Sequence, residues 1–161
     1  MEKISDVLKL AITNEVKAKV FYRKASEATD DGESQMLFIE LTEMEDEHGR
    51  RLVRLFGEQM QEEGVDAQAF LEKQQARADE VLEVAEHDML KAGDMRQVIE
   101  HATQLEIRAR DTYRGLREQV DSDELREVCD ELAAEEQKHH DLLASLRTNV
   151  DTPIDERPAL G

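Results

Sequence analysis

The sequence of 161 residues has the length of one domain, and 39 acidic against 21 basic side chains give it a formal net charge of -18. A surface this negative repels phosphate backbones and anionic lipid and attracts cations, which argues against nucleic acid and membrane partners. The single cysteine, Cys129, excludes an internal disulfide and a multi-thiolate metal site within the chain. Because no apolar leader follows Met1 and no apolar run reaches membrane length, we expect a cytoplasmic protein.

Four segments repeat apolar residues at helical spacing and predict four long amphipathic helices. They cover residues 4–25, 38–55, 95–116 and 129–146. The turn signal Asp30-Asp31-Gly32 separates the first two, and Asp121-Ser122-Asp123 separates the last two. Because these connections are short, each consecutive pair of helices is expected to form an antiparallel hairpin.

The remaining segments connect and extend the hairpins. Residues 64–94 are polar with scattered apolar positions, which predicts one or two weaker helices that cross the bundle. Both prolines lie after residue 150, so no proline interrupts the earlier helices. We therefore expect an all-α, ferritin-like four-helix bundle over residues 1–148 and a non-helical tail over 149–161.

The two hairpins are copies of one another. A shift of 91 residues superposes chemically matched positions along the whole length of both halves. The matches include Val7 with Val98, Ala11 with Ala102, Glu15 with Glu106, Tyr22 with Tyr113, Glu45 with Glu136, and His48 with His139. The repeat predicts halves related by an approximate two-fold axis.

Six polar residues occupy apolar positions of this pattern: Glu15, Glu45, His48, Glu106, Glu136 and His139. Burying four ionised carboxylates costs several kcal/mol each, so either they become neutral or cations lie among them. Two divalent ions would balance four carboxylates and leave two neutral imidazoles as nitrogen ligands. We therefore predict a two-metal site, with surface charge or a self-satisfied polar core as the alternative.

Other polar residues receive different interpretations. Tyr22 and Tyr113 lie two turns after Glu15 and Glu106, where a phenol either donates to a ligating carboxylate or only packs in the core. Glutamates off the buried face are expected in solvent, namely Glu43, Glu47, Glu62, Glu63 and Glu135. His140 is expected at the surface or in support of the site, and Cys129 as a small buried hydrophobe.

One glutamate on each of two helices and a Leu-x-x-x-Glu-x-x-His sequence on each of the other two resemble the ferritin-like di-iron carboxylate superfamily, and rubrerythrins most closely. The resemblance covers about residues 3–148. It implies that Glu45 and Glu136 bridge two iron ions, while Glu15 with His48 and Glu106 with His139 complete the two ends. Zinc or manganese also suits this ligand set.

Two features depart from the rubrerythrin pattern. One cysteine cannot build the rubredoxin domain that rubrerythrins usually carry, so an electron donor is expected to be a separate protein. Rubrerythrins also place a further glutamate one turn after the third-helix ligand, where this sequence has Ala109. The family's exchange of that glutamate for a histidine on iron is therefore not expected.

The resemblance implies a redox enzyme that reacts with hydrogen peroxide or oxygen, as a peroxidase, oxidase or ferroxidase. An iron-binding or storage protein without turnover is the alternative, and a structural zinc or manganese site is a third reading. By analogy with the family we expect a homodimer. The residues alone do not choose among these functions.

Overall fold

Helices account for most of the chain in the computed structural model, which describes residues 3–161. They are α1 (Ile4–Ala28), α2 (Gly32–Glu62), α3 (Ala67–Ala76), α4 (Val84–Ala92), α5 (Met95–Arg117) and α6 (Asp123–Asn149). No strand occurs within residues 3–161, so the predicted all-α class is confirmed. Across this same range, no helix combines the length and the apolar character needed to span a membrane.

The predicted turn signals supply the caps of the long helices. The side chain of Asp31 accepts a hydrogen bond from the Ser34 backbone N–H at the start of α2, and Ser122 accepts one from Leu125 at the start of α6. Gly93 ends α4 with a positive φ of 72°, a conformation that glycine adopts without a Cβ clash. These caps mark where α2 and α6 begin and where α4 ends.

The four long helices form two hairpins, α1 with α2 and α5 with α6. The α1 and α5 helices pack along each other, and their buried faces carry the small residues Ala11, Ala18, Ala102 and Ala109. The α2 and α6 helices approach each other less closely. The bundle is therefore tight between α1 and α5 and more open between α2 and α6.

The crossover consists of α3, which packs on α1 and α2, and α4, which packs on α1 and α5. Glu86 on α4 is buried, and its carboxylate contacts Lys17 of α1 at 3.0 Å and Nε2 of His101 of α5 at 2.8 Å. Burial raises the pKa of Glu86, but His101, the Glu83 backbone N–H and Lys17 outweigh it and lower the pKa to about 2. The Glu86 carboxylate therefore links α4 of the crossover to α1 in one hairpin and to α5 in the other.

The C-terminal tail folds back onto the start of α2. The Arg157 side chain is 7% exposed and lies 2.9 Å from Asp31 and 3.3 Å from Glu33. A single 3₁₀ turn at Ile154–Glu156 differs from the expected non-helical tail. Pro153 precedes that turn with a φ of -53° and accepts a hydrogen bond from the Glu156 N–H, which accounts for the local winding.

Candidate metal centre

Six polar side chains meet inside the bundle, and each comes from one of the four long helices. Glu15 lies on α1 and Glu106 on α5, while α2 and α6 each supply a glutamate and a histidine three residues apart. All six residues, Glu15, Glu45, His48, Glu106, Glu136 and His139, are 0–3% exposed. The polar residues at apolar positions of the pattern are therefore buried as predicted.

The six residues form two overlapping groups of possible metal ligands. One group contains Glu15, Glu45, His48 and Glu136, and the other contains Glu45, Glu106, Glu136 and His139. Within each group the candidate ligand atoms lie within 4.8 Å of one another. Glu45 and Glu136 belong to both groups, which is the position that bridging carboxylates occupy between two ions.

Both histidines direct Nδ1 toward the carboxylates. Nδ1 of His48 lies 2.6 Å from Oε1 of Glu136, and Nδ1 of His139 lies 3.2 Å from Oε1 of Glu45. The two rings stack with centroids 5.8 Å apart. Nδ1 is therefore the nitrogen that each ring presents to a metal, and Nε2 is directed away from the cluster.

The two tyrosines bind the terminal glutamates crosswise. The Tyr22 hydroxyl on α1 donates to Oε1 of Glu106 on α5 at 2.5 Å, and the Tyr113 hydroxyl on α5 donates to Oε1 of Glu15 on α1. Each tyrosine follows the glutamate of its own helix by seven residues, a rise of about 10 Å. The reciprocal bonds form because α1 and α5 run antiparallel, which brings each phenol beside the opposite glutamate.

Eight buried ligand-type atoms in the cluster have no hydrogen-bond partner within the described part of the chain. They are Oε2 of Glu15, Oε1 of Glu45, Oε2 of Glu106, both oxygens of Glu136, both nitrogens of His48, and Nδ1 of His139. An unpaired buried polar group costs about 1–3 kcal/mol. Because most of these atoms face one another, bound cations would pair them, and the oxygen and imidazole donors fit divalent metals.

Burial and mutual repulsion shift the pKa values of the clustered carboxylates and of His48. Burial and the charges of Glu15 and Glu106 raise the pKa of Glu45, and burial with the charges of Glu45 and Glu15 raises that of Glu136. Burial lowers the pKa of His48, but the surrounding carboxylates outweigh it and raise the pKa to about 11. The raised pKa values favour the protonated forms of these groups, and metal binding competes with those protons.

Glu106 behaves differently from the bridging-type glutamates. Burial raises its pKa, but the neighbouring Glu136 and His139 and the hydroxyl of Tyr22 outweigh that effect and lower it. The pKa of Glu106 therefore shifts in the direction opposite to those of Glu45 and Glu136.

A family model described as Rubrerythrin matches residues 6–146. The chain belongs to the rubrerythrin family. The match spans all six clustered residues and both tyrosines. Searches among curated proteins and among solved structures found no match.

Two of the glutamates expected in solvent are only partly exposed and contact other residues. Oε2 of Glu135 lies 3.7 Å from Nε2 of His48 and 3.0 Å from Nη1 of Arg51, and the Glu135 side chain is 36% exposed. Glu63 accepts a hydrogen bond of 2.7 Å from the Ser5 backbone N–H. Glu135 lies at the edge of the buried face of α6, where the rotation of the neighbouring helix decides which residues it contacts. Glu63 is the residue that caps the C-terminal end of α2. Comparing Glu135 with its repeat partner, Met44, would have singled it out.

The other sequence candidates lie away from the centre. Nδ1 of His140 lies 3.1 Å from Asp141, and the His140 side chain is 28% exposed, so this ring is at the surface. Cys129 is buried, and burial with the charge of Asp130 raises its pKa to about 11. Its thiol is therefore protonated and packs as a small hydrophobe, as expected.

Proposed function

We propose that this chain is a di-iron oxidoreductase that reduces hydrogen peroxide or oxygen. The observation that supports this most is the double membership of Glu45 and Glu136, each of which belongs to both ligand groups. Two ions held this way share carboxylates and act as one centre. Family membership supports iron as the metal of the pair.

The ligands divide into two ends and a shared middle. Glu15 and His48 would hold one ion, Glu106 and His139 the other, and the two bridging-type glutamates would contact both. When bound, a pair of iron(II) ions supplies the two electrons for H₂O₂ + 2 H⁺ + 2 e⁻ → 2 H₂O. Near-complete burial of the ligands keeps bulk water from this chemistry.

The two tyrosines orient the terminal carboxylates, Glu15 and Glu106, for metal binding. Because each phenol donates to Oε1, the remaining Oε2 of Glu15 and of Glu106 is left unpaired and available to a metal. Burial and nearby carboxylates raise the pKa of both Tyr22 and Tyr113, so each phenol keeps its proton near neutral pH. They hold the carboxylates in place without competing as ligands.

A small cavity between α2 and α6 provides an approach to the centre. It has a volume of about 110 Å³. Its lining consists of His139, the apolar residues Leu41, Met44 and Leu142, and the charged residues Glu40, Glu135 and Lys138. Since one water molecule takes up about 30 Å³ in the liquid, the cavity suits a species the size of hydrogen peroxide or oxygen. Reducing equivalents would come from a separate donor protein, because the one thiol, Cys129, is buried.

Iron loading under anaerobic conditions tests the proposal. We expect two iron ions per chain by elemental analysis and repeated peroxide or oxygen consumption in the presence of a chemical reductant. Glu45→Ala and Glu136→Ala should lower the iron content and abolish turnover. Glu47→Ala is the matched control, because Glu47 lies on the same helix with a side chain 49% exposed.

Three results would contradict the proposal. Iron uptake far above two ions per chain, without reductant-dependent turnover, would support the storage alternative. Tight binding of zinc or manganese with no reaction after iron loading would support a structural site. Equal iron content in wild type, Glu45→Ala and Glu136→Ala would show that the shared carboxylates do not hold the metal.

A further inference from the structure

Two adjoining cavities lie between α2 and α6. The small cavity beside His139 has a volume of about 110 Å³, and a larger one nearer the start of α2 has a volume of about 670 Å³. Three side chains line both cavities, namely Glu40, Lys138 and Leu142. The larger cavity is also lined by Met36, which is 74% exposed, so it reaches the surface. Together the two cavities lead from solvent toward the metal centre, and we call them the access path.

The three shared side chains form a neck that opens easily. Glu40 and Lys138 are exposed, and Leu142 is half-buried. Exposed side chains change rotamer within picoseconds to nanoseconds, so the two charged residues leave and re-enter the neck rapidly. A lasting restriction of the access path must therefore come from a residue that is held in place.

Leu160 of the C-terminal tail is such a residue. It lines the larger cavity opposite the helices and packs partly buried against the hydrophobic core. Two buried side chains hold the segment just before it. Arg157 is 7% exposed, lies 2.9 Å from Asp31 and donates to the Thr152 carbonyl at 2.7 Å.

The second holding contact comes from the end of α6. Asn149 is 2% exposed, and its side-chain amide donates to the Pro158 carbonyl at 3.0 Å. The ionised partners of Arg157 make its contacts stronger than neutral hydrogen bonds. Since Arg157 and Pro158 precede Leu160 by three and two residues, these contacts fix where the Leu160 side chain lies.

The opposite end of the centre is built differently at the equivalent position. The 91-residue shift places Arg51 where the second half has Leu142. The Arg51 guanidinium lies 3.0 Å from Glu135 and 2.6 Å from Glu131, so it ties α2 to α6 one turn after His48. Where one half of the chain has a leucine at the neck of a cavity, the other has an ion-paired arginine.

We propose that Leu160 is a specificity-determining residue, which narrows the access path so that hydrogen peroxide and oxygen reach the centre and bulkier organic hydroperoxides do not. The inference rests on the proposed function, because it concerns what reaches that centre. The tail acts as a wall that stays closed while Arg157 and Asn149 hold it. Release of the tail removes this wall and widens the path toward His139.

Chemical labelling of the full-length chain measures access without any metal or turnover. Diethyl pyrocarbonate acylates unprotonated imidazole, and mass spectrometry of the peptides gives a rate for each histidine. His139 is 3% exposed and should react slowly, whereas the neighbouring His140, with a side chain 28% exposed, provides the reference rate. The ratio of the two rates reports how open the path is.

Three variants should open the path: Leu160→Ala, Arg157→Gln, and a chain that terminates after Glu156. Each should raise the His139 rate about tenfold or more relative to His140, because the wall is removed or one of its holding contacts is lost. Ile154→Ala is the matched control for Leu160→Ala, since Ile154 is an apolar residue of the same tail that is 69% exposed. Circular dichroism confirms that each variant is folded.

The iron-loaded protein supplies the second measurement. Wild type should react much faster with hydrogen peroxide than with cumene hydroperoxide, and the three tail variants should raise the relative rate with cumene hydroperoxide. Ile154→Ala should keep the wild-type ratio. A wild-type chain that reacts equally fast with both peroxides would contradict the size restriction.

The labelling outcomes separate this inference from the proposed function. An unchanged His139 rate in all three tail variants, or an equal rise in Ile154→Ala, would overturn the role of Leu160. An equal rise at His48 and His139 would show loosening of the whole bundle and would also overturn it. If labelling changes as expected but the iron-loaded chain reduces neither peroxide nor oxygen, the access path stands and the proposed function fails.

Discussion

Metal binding near neutral pH is expected to displace a proton from His48. In the metal-free protein the surrounding carboxylates outweigh burial and raise the pKa of this ring to about 11. A metal needs the deprotonated Nδ1, which lies 2.6 Å from Oε1 of Glu136. The proton must therefore leave as the ion enters, and the affinity must depend on pH.

The expected size follows from the distance between pH and pKa. At pH 8 a ring with a pKa of about 11 is almost fully protonated, whereas an unperturbed histidine would hold about 0.03 proton. Removing this proton at pH 8 costs about 4 kcal/mol, or about a thousandfold in apparent affinity, at 1.36 kcal/mol per pH unit. The raised pKa values of Glu45 and Glu136 add to the release at lower pH.

Isothermal titration with Zn²⁺ in two buffers of different ionisation enthalpy measures this release. We expect about one proton or more per chain at pH 8, and an apparent affinity that rises about tenfold from pH 7 to pH 8. His140→Gln, at the surface, should release the same number of protons. Release below about 0.2 proton with a flat affinity profile would refute the reasoning about His48.

Metal removal should destabilise the fold more at pH 8 than at pH 5, because the pKa values of Glu45 and Glu136 are raised in the folded state. The cost of ionising these carboxylates in the folded protein is absent below the unfolded pKa of about 4.5 and grows as the pH rises toward the folded pKa values. Thermal melts with and without chelator measure this, and equal metal-dependent shifts at both pH values would count against it. Tyr113→Phe removes the donor to the α1 glutamate and should weaken metal binding about 10–100-fold, with a fold less stable by about 1–3 kcal/mol; unchanged Zn²⁺ affinity would contradict this. Because Ala109 supplies no alternative carboxylate, oxidised and reduced centres should have the same protein ligands, and crystal structures of both states would reveal any exchange. The expected homodimer should give twice the chain mass by light scattering at micromolar concentration, and a monomer would disprove it.

The arrangement of the bundle could be predicted because the sequence repeats its own pattern. Two prolines confined to the end allowed long helices, and the 91-residue shift showed which polar residues belong to the buried face. Glu45 and Glu136 occupy equivalent positions in the two copies, so their burial could be inferred without knowing how the helices rotate. The structure brings the six predicted residues together for this reason.

Contacts that depend on how each helix is rotated about its axis could not be predicted from the spacing of apolar residues. Glu135 lies at the margin of the buried face of α6. The placement of α2 decides whether such a residue contacts solvent or another side chain, and the hydrophobic periodicity predicted solvent. Glu86 is buried only because α4 crosses both hairpins, although its three-residue spacing from Glu83 is typical of a helix start. Neither the crossing path nor the partners Lys17 and His101 can be read from local spacing.

The crosswise phenol bonds make each hairpin depend on the other. A single hairpin holds three of the six clustered residues, and its own tyrosine lies about 10 Å along the helix from its own glutamate. Two identical hairpins paired about a two-fold axis would make the Tyr22–Glu106 type of bond twice and complete both ends of the centre. The fused chain keeps that symmetry in its ligands while allowing the residues behind them, such as Met44 and Glu135, to diverge. Because the two copies are joined in one polypeptide, each half can carry different residues beside the same pattern of clustered side chains.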